Sequence, residues 1–322
     1  MPKPVLKTSV IICAYTDERW NGLISAIESV QGQSVQAHEI IVVIDHNPAL
    51  LDKVRARFPG VIAIENREPR GLSGARNSGI AVAHGEILAF LDDDAVAAVD
   101  WLEQLCASYG DPNVIGVGGA IEPLWQSGRP AWFPGEFDWV VGCTYRGTPR
   151  TVEPIRNLIG ANMSFRREVF AEAGGFRSGM GRIGTFPAGC EETELCIRAR
   201  QCSPGKVMLY NPAARVKHRV SAHRAQTSYF RTRCYAEGLS KALVSRLVGA
   251  GDGLASERTY TLRTLPQGVW CGISDAVVRR EGAGLGRALA IVAGLAITTI
   301  GYIMGLTVGR FQSVAPSGQN GE

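Results

Sequence analysis

At 322 residues, 45% of them hydrophobic, the chain is long enough to bury a substantial α/β core and short enough to exclude a large multidomain assembly. Its 34 Lys+Arg against 30 Asp+Glu leave a formal net charge of +4, far below the basic footprint of a general nucleic-acid binder, so nucleic acid is not expected as a partner. Eight cysteines with no CxxC pair and no zinc-like spacing predict reduced core residues, not a disulfide framework or a metal cluster.

The apolar run near the amino terminus is too short for a signal peptide and leads into polar sequence, so the main body is expected in the cytoplasm. Residues 8–14 form a β-branched run with the continuity of a strand covered on both faces. Leu23, Ile27 and Val30 then repeat with helical spacing. A second apolar run, residues 40–44, ends at Asp45, and a helical stretch over 49–58 stops at Pro59-Gly60 before a short strand at 61–64. A helix over 74–83 precedes a strand at 87–91. This alternation predicts an α/β fold with an open, twisted, mostly parallel sheet flanked by helices, whose ligands bind beyond the carboxyl ends of the strands. Tyr15, Asp45 and Asp92-Asp93-Asp94 all fall at that edge.

Past Gly118 the alternation stops, and Gly, Pro and Trp become frequent up to Ile155. A charged helix over 191–201 and a strand ending near His218 follow. Between Arg215 and Arg263 there are ten Lys/Arg against three acids, and this basic stretch leads to 22 uncharged residues, 288–309. At about 1.5 Å per residue those residues cover roughly 33 Å, the length of a bilayer core. The chain therefore divides into a catalytic domain (1–225), a basic helical membrane-proximal region (226–284), a transmembrane helix (285–310) and a flexible tail (311–322). Arg279, Arg280 and Arg287 precede the span and Arg310 follows it, so a single-pass helix in the cell membrane would keep the main body cytoplasmic. Gly301, Gly305 and Gly309 form a small-residue stripe, either ordinary membrane-helix glycine or a contact for a homodimer.

Three adjacent aspartates at a strand end repel one another unless a cation neutralises them, so they either hold Mg²⁺ or Mn²⁺ or cap the helix beginning near Asp100. The glycines of Arg70-Gly71-Leu72-Ser73-Gly74-Ala75-Arg76 allow close backbone approach to a ligand, and Arg76 offers a planar donor head; a tight turn with a surface arginine is the alternative. Tyr15 either stacks on a base or packs in the core. Asp45 either accepts from a uracil imide or caps a helix. Glu191, Glu192 and Glu194 open a helix, where capping and general-base chemistry are both open. His218 is a metal ligand or a satisfied buried histidine. The aromatic block with Trp125, Trp132, Phe133, Phe137 and Trp139 either faces sugar rings or fills core beneath a loop, while Arg231, Arg233 and Lys241 suit the phosphate of a lipid carrier.

In order and spacing, SVIICAYTDERW, IIVVIDHNP, GLSGARNSGI, GEILAFLDDDA, GANMSFRREVF, CEETELCIR and VKH resemble family 2 of the inverting glycosyltransferases, over roughly residues 8–241. That resemblance implies a GT-A fold, a nucleotide-sugar donor, most naturally a UDP-sugar, and Mg²⁺ or Mn²⁺. It implies Tyr15, Asp17, Asp45, Arg76, Asp92 and Asp93 around the nucleotide, Asp94 as direct metal ligand with Asp92 nearby, and His218 as the later ligand. Glu192 stands where many members carry an aspartate base, one methylene shorter, so Glu191 remains an alternative. Asn162, with Trp132, Trp139, Arg231, Arg233 and Lys241, falls on the acceptor side. Within the family the chain most resembles transferases acting on lipid-linked saccharides, including those that add glucuronate to glucosyl polyprenyl phosphate. A sugar-nucleotide-forming nucleotidyltransferase would carry a glycine cluster after the first strand, where Cys13-Ala14-Tyr15 stands instead. A non-catalytic membrane scaffold would have lost acids that are present here.

Overall fold

Four β-branched segments follow the expected βα rhythm in the computed structural model, which describes residues 6–182, 189–253 and 255–312. They are β1 (Thr8–Ala14), β2 (Glu39–Ile44), β3 (Ile62–Glu65) and β4 (Ile87–Asp92), joined through α1 (Trp20–Gln31), α2 (Pro48–Arg57) and α3 (Leu72–Val82). All pair in parallel in the order β3-β2-β1-β4, with Ile11 level with both Ile41 and Phe90. Strands buried on both faces need helices above and below, which explains the unbroken apolar runs.

Beyond β4 the sheet becomes mixed. β5 (Ala95–Ala97), α4 (Trp101–Cys106), β6 (Val114–Trp125), β7 (Glu153–Ile155), β8 (Asn162–Arg166), α5 (Glu168–Ala173), α6 (Glu191–Cys202) and β9 (Val207–Val220) complete it. β8 runs antiparallel to β4 and β6, while β9 lies parallel to β6 and antiparallel to β5 and β7. Parallel pairing thus runs unbroken through β3-β2-β1-β4 and recurs between β6 and β9, while β5, β7 and β8 make the antiparallel pairs. The pairing of β5 with β9 sets Ala95 opposite His218, and Arg219 N donates to Asp94 O at 2.8 Å, which brings the aspartate triplet to the late histidine.

The chain ends in helices: α7 (Thr227–Val248), α8 (Ala250–Gly253), α9 (Ala255–Thr259), α10 (Leu265–Val277) and α11 (Ala283–Gln312). Within α11, Ala283–Thr307 is long and apolar enough to cross a membrane. One side of it is lined by small residues that let it lie against the body. A Cβ on Gly294 would come 2.4 Å from the Phe137 ring, on Gly301 2.3 Å from the Tyr235 carbonyl oxygen, and on Gly305 2.6 Å from Ala242 Cβ. Gly301 and Gly305 are therefore occupied by α7 of the same chain, and the stripe expected to pair two copies is not free at those positions; the surroundings of Gly309 lie outside the described residues. The opposite side exposes Leu285, Leu289, Val292, Ile300 and Ile303. The tail beyond residue 312 also lies outside the described residues.

Close glycine packing is intolerant of added methyls, and overpacking typically costs about 1–3 kcal/mol. Gly301→Val is expected to lower the thermal unfolding temperature of the detergent-solubilised chain and to expose α11 to protease. An unchanged melting temperature and digestion pattern would refute the α7–α11 contact.

Candidate active site

The carboxyl ends of β1, β2 and β4 open onto a cavity of about 570 Å³ whose lining includes Tyr15, Asp45, Arg76, the three aspartates, Glu191, Glu192 and His218. Asp92 is half-buried and Asp93 and Asp94 are buried. Asp94 pairs through Oδ1 with His218 Nε2 at 3.0 Å, and through Oδ2 with Arg19 at 3.2 Å and Arg224 at 3.5 Å. Burial alone would raise its pKa, but His218, Arg224 and Arg19 together hold it well below the usual carboxylate range. Asp93 has less support. Burial, then the neighbouring Asp94 charge, push its carboxyl up to about 7 despite Arg19 at 3.0 Å, and its Oδ2 has no partner.

One ligand atom from each of Asp92, Asp94 and His218 lies within 4.8 Å of the others. Two carboxylates and an imidazole form a hard-to-borderline donor set that fits Mg²⁺ or Mn²⁺. Asp93 beside them agrees: its Oδ2 has no hydrogen-bond partner among the described residues and its pKa is raised, which marks negative charge that Arg19 alone does not balance. The alternative in which the triplet caps a helix does not occur: the chain turns into β5, and no side-chain cap bond opens α4.

On the nucleotide side, Tyr15 is 44% exposed, with the Arg19 guanidinium 5.6 Å from its ring centroid, so a ring face is available to a planar ligand. Asp45 shapes the glycine loop: Oδ2 accepts from Gly71 N at 3.0 Å and Oδ1 from Asn66 Nδ2 at 2.7 Å. The helix cap considered for Asp45 belongs to Asn47, which accepts from Leu50 N at 3.1 Å. Gly71, at φ +130°, sits where only glycine is comfortable. Asp17 is a correction. It bonds Asn47 and Lys53 and is absent from the cavity wall, because the short 3-10 turn at 17–19 carries it outward.

Cys190, at φ +69°, turns the chain into α6 so that Glu191 and Glu192 face the cavity. Glu191 Oε1 receives Arg76 Nη1 at 2.9 Å, and the same buried guanidinium reaches Asp92 at 3.5 Å and the Gly160 carbonyl at 3.3 Å. Glu191 is thereby committed to Arg76. Glu192 lines the cavity without an ion-pair partner among the described residues, and burial, then the Glu191 charge, push its pKa well above the ordinary value. Glu194, the third acid of that helix start, is fully buried against Arg177 at 2.6 Å and Arg198 at 2.7 Å.

The expected acceptor set divides. Trp139, Arg233 and Lys241 line the cavity, and Phe137 joins them. Trp132 instead packs on Phe133 and Phe230 beneath α11, so this part of the aromatic block is core. Arg231 is exposed on α7 away from the lining. Asn162 is fully buried; it donates to the Ala120 and Ala214 carbonyls at 3.0 and 2.8 Å and accepts from Trp101 Nε1 at 2.8 Å, a joint of the sheet and not an acceptor contact. Not foreseen from the sequence are Arg19, Arg156, Arg182 and Arg224, and the wall of Leu295, Thr298, Thr299 and Tyr302 from α11. The four-residue spacing of Arg233, Glu237 and Lys241 was a readable signal of one helix face; Arg182, in a loop, gave none.

Asp94→Asn keeps shape and removes charge. It is expected to weaken Mn²⁺ binding in the presence of UDP at least tenfold by calorimetry and to lower turnover by about two orders of magnitude, the scale of losing a Lewis acid. Mn²⁺ affinity equal to wild type would remove Asp94 from the metal site.

Residues 9–174 match the family described as Glycosyl transferase family 2. The chain is 36% identical over 246 residues to the glucosyl-dolichyl phosphate glucuronosyltransferase of Haloferax volcanii, covering 75% of this chain and 78% of that protein. It is 30% identical over 243 residues to N-acetylgalactosaminyltransferase 7 of Drosophila melanogaster, covering 67% of this chain but 40% of the longer relative. Among solved structures, a mannosyltransferase from Pyrobaculum calidifontis in complex with GDP-Man and Mn²⁺ superposes with TM-score 0.58 at 16% identity, over 93% of this chain and 88% of the other. GalNAc-T7 with UDP, GalNAc and Mn²⁺ superposes with TM-score 0.54 at 22% identity, over 74% of this chain and 48% of that one. At such identities the likeness establishes the fold, which is GT-A.

Proposed function

Because the chain belongs to glycosyltransferase family 2, we propose that it is an inverting transferase that moves a sugar from a UDP-sugar to a hydroxyl of a saccharide carried on a polyprenyl phosphate. The observation that carries this reading is the convergence, in one cavity, of the Asp92, Asp94 and His218 group, the open face of Tyr15, and Glu192. The name of the Haloferax volcanii relative supports a glucuronate donor and a glucosyl-lipid acceptor.

Tyr15 stacks on the base and Asp45 holds the loop against which the nucleotide lies. Asp92, Asp94 and His218 hold a divalent cation, which when bound supplies Lewis-acid stabilisation to the departing diphosphate. Inversion is a single displacement, so it requires one base opposite the leaving group to take the acceptor hydroxyl proton as that oxygen forms its bond to the anomeric carbon. Glu192 is that base, and Glu191 is a positioning residue acting through Arg76. Glu192 stands in the first turn of α6.

The raised pKa has a sign consequence. Below it Glu192 is protonated and cannot accept, so the acid limb of the kcat/KM profile should lie above the ordinary carboxylate range. Glu192→Gln should retain UDP–Mn²⁺ binding while transfer falls by about two to four orders of magnitude, the usual contribution of a general base. Glu191→Gln removes the like charge and should move the acid limb to lower pH. A limb that stays in place in Glu191→Gln, or a Glu192→Gln variant with normal transfer, would reassign the base. The direct assay is UDP release from a panel of UDP-sugars with and without Mn²⁺, with short polyprenyl-phosphate saccharides as acceptors. No release in any combination would reject the donor reading.

For location, the apolar Ala283–Thr307 and the basic residues before it support attachment at the cytoplasmic face of the cell membrane, with α11 as the anchor. Full-length chain should stay with carbonate-washed membranes, and its recovery in the supernatant would refute the anchor.

A further inference from the structure

The arginines of the cavity are almost all matched to acids. Arg19 faces Asp93 and Asp94, Arg76 faces Glu191 and Asp92, Arg156 faces Glu257, Arg224 faces Asp94 and Arg233 faces Glu237. Arg70 is exposed to solvent at the rim. Arg182 differs from these. It is half-buried in the wall and has no carboxylate partner among the described residues, its side chain donating to Tyr229 Oη at 3.2 Å.

Arg182 is held in place by its backbone. Its carbonyl accepts from Leu72 N at 3.2 Å, and the Met180 carbonyl accepts from Ser73 Oγ at 2.8 Å, so the start of α3 pins the segment that carries it. Around it the potential is strongly positive. Burial, then Arg224 and Arg233, lower the pKa of Arg182, while Arg182, Arg224 and Arg233 outweigh burial and lower that of the Tyr229 phenol. Arg182, Arg224 and Arg233 gather around one hydroxyl, and among the described residues no carboxylate pairs with Arg182, an arrangement that suits an anion.

The surroundings indicate which anion. Tyr229, Arg233, Glu237 and Lys241 recur every four residues and so share one face of α7, of which Arg233, Glu237 and Lys241 line the cavity. Across from them stand Leu295, Thr298, Thr299 and Tyr302 of α11, with Gly238 packed closely against the Thr298 carbonyl. Leu295 is 37% exposed, so it belongs both to the cavity wall and to the apolar outer face with Val292 and Ile300. The trough between α7 and α11 is lined by Arg233, Glu237 and Lys241 at its inner end and is apolar where it meets the outer face of α11.

We propose that Arg182 and Tyr229, with Arg233, form a phosphate subsite for the acceptor, holding the phosphate of an isoprenoid lipid whose first isoprene units leave the cavity over Leu295 and Tyr302. This rests on the transferase reading and deepens it by assigning the acceptor's phosphate to named residues. A diphosphate of the donor has the same chemistry. Arg224, which pairs with Asp94, links the Arg182 cluster to the aspartate group, so the two sources are separated by the ligand each variant loses, UDP–Mn²⁺ or farnesyl phosphate.

The test is binding of farnesyl phosphate, farnesol, inorganic phosphate and UDP–Mn²⁺ to the full chain in detergent, measured by calorimetry without any turnover. Wild type should bind farnesyl phosphate at least tenfold more tightly than farnesol or inorganic phosphate. Arg182→Gln should lose tenfold or more of that affinity, Arg182→Lys should recover part of it, and Tyr229→Phe should weaken it more mildly. Because Arg182 has no carboxylate partner among the described residues, its replacement strands no acid there, and thermal unfolding checks that each variant is folded. If Arg182→Gln weakens UDP–Mn²⁺ and spares farnesyl phosphate, the subsite belongs to the donor and the proposal is overturned. Equal wild-type affinity for farnesol and farnesyl phosphate also overturns it. Failure of the transferase reading is seen separately, as absence of UDP release from any UDP-sugar by wild type.

Discussion

The buried guanidinium of Arg76 is the joint on which the site depends. Arising from α3, it reaches Glu191 at the start of α6, Asp92 at the end of β4 and the Gly160 carbonyl before β8. Three segments far apart in sequence are thus set at fixed distances around one planar donor. Such a pair is costly to break, since removing one partner of a buried ion pair typically costs about 3–5 kcal/mol. The arrangement also divides labour between adjacent carboxylates. Glu191 is held by Arg76, and its charge, next to burial, keeps Glu192 basic. Two neighbouring glutamates on one helical turn thereby acquire different chemistry from their surroundings alone.

The cation group depends on a second constraint, the short antiparallel pairing of β5 with β9. The register that sets Ala95 opposite His218, with the backbone bond from Arg219 N to Asp94 O, holds the imidazole and carboxylate side by side. The pairing follows directly on the aspartate triplet, so a strand end that would otherwise repel itself is tied to His218, Arg19 and Arg224. The protein's cations settle Asp94 and leave Asp93 partly unsupported, which is the electrostatic state expected of a site awaiting a divalent ion.

The carboxy-terminal helices do more than trail behind the catalytic body. α7 supplies charged residues to the cavity, and α11 closes one wall with Leu295, Thr298, Thr299 and Tyr302. Small residues along α11 allow this approach while its other side remains apolar and exposed. One helix therefore faces the chemistry on one side and presents a lipid-compatible surface on the other, a geometry suited to an acceptor that is itself part polar and part lipid.

Local pattern by itself determined the parallel half of the fold. The runs at 8–14, 40–44 and 87–91 are strands because short continuous apolar segments bounded by turns suit a sheet covered on both faces, and the acids at the ends of the last two fall at the site edge for the same topological reason. Tyr15, Asp45, Arg76, the aspartates, Glu192 and His218 all line one cavity. Direction of a side chain was another matter. Asn162 and Trp132 turned inward to satisfy a sheet joint and a helix interface, Arg231 turned outward, and Asp17 was carried off by a 3-10 turn. Nothing in the sequence marked Arg182, whose place comes from backbone bonds to α3, or disclosed that the glycines of α11 meet α7 within the same chain. Periodicity along the chain reports what each segment buries, because burial is a local demand on residue type. Which distant groups share a cavity, and which are left without a counter-charge, follows from long-range packing, and only the tertiary structure decided it.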